Sequence, residues 1–388
     1  MGILTLIYFV ALWSRGHRSE GLESGWLLGG VRVKAAVTRR GRLVVDNITD
    51  PTPGEGHVLT QPLATGICGS DLHALDDFEN FVARAKEQGS SDLDASRDTV
   101  FGHEFCAEIL DYGPGTTKKL PIGTRVCSVP VLFSSRGVEQ LGYSHNFPGA
   151  MAERMVLQEM LLLPVPDSLS SDLAALTEPL AVGEHAVGLS GIEIGQPALV
   201  VGCGPGGLAV IAALKARGHG PVLATDFSPT RRRLAEAFGA DIVLDPAEHS
   251  PHDRWVDFGV PATLMERTMA EMSGRSAPSP VIFEAVGVPG MLQSLIRDAP
   301  PRSRIVVVGV CMHSDRIEPL MAITKEMEFR FSFAYNAGEF ATTLDRLGRG
   351  IPGADQLITS TVSLDACAHA FELLATPGDH GKIMVRPT

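Results

Sequence analysis

The sequence predicts an α/β protein in which an irregular, mostly-β domain is interrupted by a doubly wound parallel-sheet unit. Three observations predict it. From residue 33 to about 165, short β-like runs such as 58–63 and 105–110 are broken by Gly and Pro. From about residue 197 the pattern changes to buried apolar runs (198–201, 222–226, 241–244, 281–284, 305–309) alternating with helical stretches (207–216, 229–238, 289–298). Such alternation implies parallel strands covered on both faces. Beyond about residue 325 the chain turns β-like again at 329–335, then helical at 338–347 and 364–374, and closes on an apolar strand at 382–385. The α/β unit is therefore expected as an insertion between two parts of the first domain, with boundaries at 31–183, 184–324 and 325–388.

Composition sets outer limits on function. At roughly 150 residues per domain, 388 residues make two domains with embellishments. Apolar residues at 44% and charged residues at 20% exclude disorder, collagen-like repeats and a coiled coil as the main architecture. The net charge of −12 argues against nucleic acid as a partner and towards small molecules. The six cysteines form no C-x-x-C pair and no dense cluster, which fits a reducing cytoplasm better than a secreted disulfide scaffold. The apolar run 2–13 is too short to span a bilayer as a helix and lacks a preceding basic residue, so no membrane association is expected. Residues 1–30 are expected to lie outside the fold, with translation starting at or near Val31 or Val33; peptides from 2–13 in the native protein would contradict this.

The first motif lies in the α/β unit. Residues 199–207 read LVVGCGPGG and carry G-x-G-x-x-G at Gly202, Gly204 and Gly207, with Pro205 and Gly206 between them. The first Gly permits the tight turn out of the strand, the second lets the backbone approach a pyrophosphate, and the third lets helix and strand pack closely. The helix that follows presents unpaired N–H groups to the phosphates. Glycine triplets arise by chance, but this one follows an apolar strand, opens a helix, and is followed by a second strand ending at Asp226, nineteen residues past Gly207. An acid there holds a ribose 2′-hydroxyl and repels a 2′-phosphate, so NAD is favoured over NADP. Arg231, Arg232 and Arg233 open the next helix, and at least two of them are expected to face solvent.

A second constellation gathers Cys68, Ser70, Asp71 and His73 in GICGSDLH, His103 and Glu104 in GHEF, and Glu178 in TEPL. Thiolate, imidazole and carboxylate are the ligand types zinc takes at a catalytic site with one open position. Taken singly, however, a lone Cys is usually a small buried hydrophobe and a lone His a core residue. The spacing alone leaves their convergence open.

Together GICGSDLH, GHEF, TEPLAVGEHA and VVGCGPGGLAVIAALKARG, in this order, resemble the zinc-dependent medium-chain dehydrogenase/reductase family, in particular its polyol, threonine and butanediol dehydrogenase branch. The resemblance runs from about residue 32 to 387. It implies a GroES-like catalytic domain completed by the C-terminal segment and an inserted Rossmann domain. It implies that Cys68 and His103 are zinc ligands, that Glu104 is a ligand or an alternating partner of the metal, and that Glu178 binds zinc directly or through its water. Ser70 and His73 stand where the family places a relay for the alcohol proton. Asp71 is given a supporting role and His185 a packing role.

Two departures from the family pattern matter. The stretch 126–155, where many relatives carry four closely spaced cysteines around a structural zinc, holds Cys127 alone. One catalytic zinc and no structural zinc are therefore expected. Cys68 and His103 are also unusually far apart, because residues 76–99 form a polar segment in which Phe78, Phe81 and Val82 suggest a short amphipathic helix. That segment reads equally as a lid over the substrate or as a solvated surface excursion. The function implied is NAD-linked oxidation of a small secondary alcohol, diol or polyol by a soluble homo-oligomer, dimer or tetramer. The alternatives are a zinc-free dinucleotide-dependent C=C reductase and a dinucleotide-binding protein without turnover.

Overall fold

The runs ALVV, VLAT and VIFE offer no polar face to water, so they are stable only in the middle of a sheet covered on both sides. The computed structural model, which describes residues 31–87, 93–376 and 380–387, places them there; the expected N-terminal extension, 1–30, lies outside the described residues. Six parallel strands run in the order Ile242–Leu244, Val222–Thr225, Ala198–Val201, Val281–Glu284, Arg304–Val307 and Glu328–Phe331. Val201 is in register with Thr225 on one side and Glu284 on the other. The order reverses at Ala198–Val201, and a crevice for a ligand opens outside the carboxyl ends of the strands at such a reversal. Helices Pro205–Ala216, Pro229–Ala237, Leu264–Met272 and Met291–Asp298 connect the strands.

The sixth strand corrects the expected boundary at Thr324. Glu328–Phe331 pairs with Arg304–Val307 and belongs to the parallel sheet, not to the returning β domain. Its sequence, EFRF, misleads because an edge strand is half exposed and alternates polar with apolar residues, as an antiparallel strand does. The boundary at 183/184 likewise falls inside the helix Thr177–Ser190, which packs against both Pro205–Ala216 and Ala337–Arg349.

The β domain is built on a seven-stranded sheet. Along it lie Leu162–Pro164, Arg125–Ser128, Glu104–Tyr112, His57–Gly66, Lys382–Arg386 and Ile358–Ser363, and Met155–Gln158 also pairs with His57–Gly66. The C-terminal strand lies antiparallel to His57–Gly66, with Met384 opposite Gly66, so the end of the chain does complete the first domain. Arg32–Arg39, Arg42–Thr49 and Thr99–Val100 form a smaller sheet, and Val131–Ser134 with Gly137–Gln140 forms a hairpin. Within the polar segment 76–99, Phe78–Glu87 is helical and buries Phe78 and Val82. This part of the segment is docked on the domain and is not a solvated excursion.

Candidate metal and cofactor site

Two strand ends meet at one point. His57–Gly66 leads into Cys68, which sits at the N-terminal cap of the helix Gly69–Asp76, and His103 directly precedes Glu104–Tyr112. Gly66 pairs with Glu104 across the two strands. A side chain at Gly66 would collide with the Glu104 carboxylate, whose Oε2 lies 2.1 Å from the position of a Cβ. With that space free, the Glu104 carboxylate turns towards Cys68 and His103. The sulfur, imidazole nitrogen and carboxylate oxygen of Cys68, His103 and Glu104 lie within 4.8 Å of one another. This donor set suits zinc, and the separations are compatible with one ion bonded to all three at about 2.0–2.3 Å.

The surroundings hold each donor in place. Lys382, the first residue of the C-terminal strand, donates to both oxygens of Glu104 at 2.7 Å and to the Ile67 carbonyl at 3.1 Å. His103 has Nδ1 3.5 Å from Asp71 Oδ1, and both side chains are buried. His103 Nδ1 makes no hydrogen bond at that distance, so Asp71 acts on the ring through its charge. Burial alone pulls His103 down, but the charges of Asp71 and Cys68 outweigh it and hold the imidazole well above its ordinary range. Burial pushes the Asp71 carboxyl up. Asp71 also accepts the Cys68 backbone N–H at 3.1 Å, which ties it to two of the three donors.

Glu178 arrives from the helix Thr177–Ser190. It lies outside the three-donor group but close enough to interact with the charges of His103, Glu104 and Lys382. Tyr335 donates a hydrogen bond to its Oε1 at 2.8 Å, and burial pushes the carboxyl up to about 7. Two turns further along, His185 Nδ1 lies 3.0 Å from Glu339, which also caps the helix Ala337–Arg349, so His185 packs and does not reach the donors.

Ser70 and His73 lie three residues apart on the helix Gly69–Asp76, a spacing that puts them on one face. Ser70 is half-buried and His73 exposed, so a path from one to the other leads outwards. The Tyr143 hydroxyl lies 2.9 Å from Ser70 Oγ and 3.0 Å from Asp71 Oδ1. Tyr143, Tyr335 and Lys382 were not picked out from the sequence. Lys382 alone left a signal there, as a charge opening an otherwise apolar strand; the tyrosines carry no spacing that marks them.

The glycine loop is built as its motif requires. Pro205 starts the helix Pro205–Ala216, and Gly204 is its N-terminal cap. A Cβ on Gly207 would lie 1.8 Å from the Gly202 carbonyl oxygen, so only Gly lets the helix approach the strand this closely. Gly206 has open space around its Cα, as a position facing a ligand would. Asp226 directly follows the second strand and accepts the Cys203 N–H through Oδ2 and the Ser228 N–H through Oδ1, both at 2.8 Å. The arginines differ from expectation: Arg233 is exposed, but Arg232 is half-buried against Asp245, and Arg231 lies 3.9 Å from Asp226. The reason is that Arg232 also donates to the Asp226 and Phe227 carbonyls, which draws the helix start onto the strand end.

Comparison with known proteins agrees with this arrangement. Residues 54–167 match the family model described as alcohol dehydrogenase GroES-like domain, and residues 205–349 match the model described as zinc-binding dehydrogenase. The chain is 32% identical to (R,R)-butanediol dehydrogenase of Bacillus subtilis, over 88% of this chain and 96% of that protein. It belongs to the zinc-dependent medium-chain dehydrogenase/reductase family. A sorbitol dehydrogenase of Bacillus subtilis, another family member, is 26% identical over 92% of this chain and 97% of its own length. The crystal structure of 2R,3R-butanediol dehydrogenase from Bacillus subtilis superposes with a TM-score of 0.73 at 29% identity, covering 92% of this chain and all of that one. The family architecture, a GroES-like domain with an inserted Rossmann domain, is the one described above, and membership makes the chain an oxidoreductase by kind.

Proposed function

We propose that this chain is a zinc-dependent, NAD-linked dehydrogenase that oxidises a small secondary alcohol, diol or polyol to the ketone or aldehyde. The observation that carries the reading is the convergence of Cys68, His103 and Glu104, whose donor atoms lie within 4.8 Å of one another. Cys68, His103 and Glu104 would hold zinc, with Glu178 beside them, and Gly202, Gly204, Pro205, Gly206 and Gly207 would cradle the dinucleotide phosphates at the helix N-terminus. The two groups supply what side chains lack: a Lewis acid that lowers the pKa of an alcohol, and a nicotinamide ring that accepts hydride. Ser70 takes the proton of the substrate hydroxyl, and His73, exposed on the same helix, passes it to solvent. Asp226 supports NAD over NADP, because its carboxylate stands where a 2′-phosphate would be repelled. The butanediol and sorbitol dehydrogenases among the relatives support the substrate class. The chain is taken to act in the cytoplasm as a homo-oligomer, dimer or tetramer.

The test is NADH formation, followed by absorbance, on a panel of primary alcohols, secondary alcohols, diols and polyols, with and without a zinc chelator. Chelator-sensitive turnover of secondary alcohols or polyols is expected, with Cys68→Ser removing nearly all of it while NAD still binds. Turnover that survives both the chelator and Cys68→Ser would reject the zinc assignment. NAD binding without turnover across the panel would reject the activity.

A further inference from the structure

The lobe 131–147 is organised around a carboxylate. Glu139, on the hairpin strand Gly137–Gln140, is 5% exposed, and its two oxygens accept three hydrogen bonds. Ser134 donates to Oε1 at 2.7 Å; Ser144 and Asn146 donate to Oε2 at 2.7 and 2.8 Å. Arg136 Nε lies 3.8 Å from Oε1. The two serines pass the order on, since Ser134 Oγ accepts the Arg136 N–H and Ser144 Oγ accepts the Asn146 N–H. Both the hairpin turn and the 144–147 turn are thus tied to one buried anion. Buried charge-assisted hydrogen bonds of this kind are strong and costly to break.

Tyr143 directly precedes Ser144. Its ring packs against the Phe81 ring, centroids 5.1 Å apart, and against the His103 ring, 5.4 Å away. Its hydroxyl reaches both Ser70 Oγ and Asp71 Oδ1, and Asp71 in turn backs His103. The same lobe grips the end of the polar segment, where His145 Nε2 accepts the Asp94 N–H at 2.7 Å.

We propose that Glu139 is the organising centre of this lobe, and that through it Tyr143 is held as a positioning residue that fixes Ser70 and the Asp71–His103 pair together. The proposal rests on the reading of Cys68, His103 and Glu104 as a zinc site and of Ser70 as the proton acceptor. It assigns to a carboxylate of this chain the anchoring of a lobe that holds no cysteine, and it makes that anchor part of the active-site geometry. Glu139→Gln keeps the shape but removes the charge, so the three hydrogen bonds to it lose their charge assistance.

The experiment compares the full-length protein with Tyr143→Phe, Glu139→Gln, the double variant and the milder Ser144→Ala, which removes one donor and leaves the carboxylate. Three quantities are measured: zinc affinity by competition with a chelator, kcat and KM on the best alcohol, and the rate of tryptic cleavage after the exposed Arg136. Tyr143→Phe is expected to weaken zinc binding or lower kcat by about 10–100-fold, the usual range for partners that orient ligands, with cleavage unchanged. Glu139→Gln should give a similar loss together with cleavage faster by about tenfold or more, and Ser144→Ala a smaller change in the same direction. The double variant should be no worse than Tyr143→Phe by much more than twofold, because both changes act through one contact.

Multiplying losses in the double variant, or a Glu139→Gln protein that loses activity with Arg136 still protected, would overturn the proposal. So would a chelator that speeds cleavage of the wild-type lobe, since a metal and not Glu139 would then hold it. If the wild type binds zinc but turns over no alcohol, the activity reading fails while zinc affinity and cleavage still decide this one.

Discussion

Lys382 Nζ lies 2.7 Å from both carboxylate oxygens of Glu104, and each side chain is 1% exposed. The pair joins the C-terminal strand to the strand Glu104–Tyr112, across 278 residues of sequence. Burial lowers the lysine's affinity for its proton, but Glu104 more than restores it, and the ammonium is held above its usual range. In this arrangement the last strand is part of the site and not only of the core.

Removing one partner of such a pair leaves the other charge buried. With the metal stripped, Lys382→Met is expected to cost about 3–5 kcal/mol of stability. The double variant Lys382→Met, Glu104→Gln should recover most of that loss, because no uncompensated charge remains. Urea unfolding of the wild type and the two variants checks this; a double variant as unstable as the single one would show that packing, and not charge, sets the cost.

Glu178 predicts a pH dependence. Its carboxyl is pushed from 4.5 up to about 7, first by burial and further by Glu104. The folded metal-free protein therefore holds a proton that the unfolded chain gives up. The associated stability is fully present below about pH 4.5 and is lost as pH rises to about 7. Urea midpoints of the chelated protein should fall across this window relative to those of Glu178→Gln. Parallel curves would mean that Glu178 does not titrate there.

Asp226 is predicted to set the dinucleotide preference. Asp226→Asn removes the charge and keeps the shape, so the ratio of kcat/KM for NADP over NAD should rise by about tenfold, equivalent to about 1.4 kcal/mol. Arg231, 3.9 Å away, is then freed to meet a phosphate. An unchanged ratio in steady-state kinetics would remove Asp226 from that role.

Gly207 tests the loop itself. With a Cβ 1.8 Å from the Gly202 carbonyl oxygen, Gly207→Ala must push the helix Pro205–Ala216 off its strand. Dinucleotide affinity, measured by NADH fluorescence, should weaken by tenfold or more, and thermal stability should fall by about 1–3 kcal/mol. Wild-type affinity in this variant would contradict the geometry.

Features that depend on neighbours along the chain are legible in the sequence. The parallel-sheet strands are legible because a strand buried on both faces must be apolar throughout, and the helices between them because their periodicity is local. The glycine loop is legible for the same reason: Gly202, Gly204 and Gly207 answer steric demands within six residues. The insertion of one domain in another showed as a change of period and its reversal. The edge strand Glu328–Phe331 was misassigned because exposure at a sheet edge gives it the alternation of an antiparallel strand.

Which side chains meet depends on how distant segments pack. Cys68, His103 and Glu104 are individually ordinary, and their convergence follows from the pairing of Gly66 with Glu104, a register that no local pattern encodes. Lys382 against Glu104, Tyr335 against Glu178 and Tyr143 against Ser70 are contacts between distant segments. Each arises because a buried charge or hydroxyl must find a partner and takes whichever one the packing of strands and helices brings within reach.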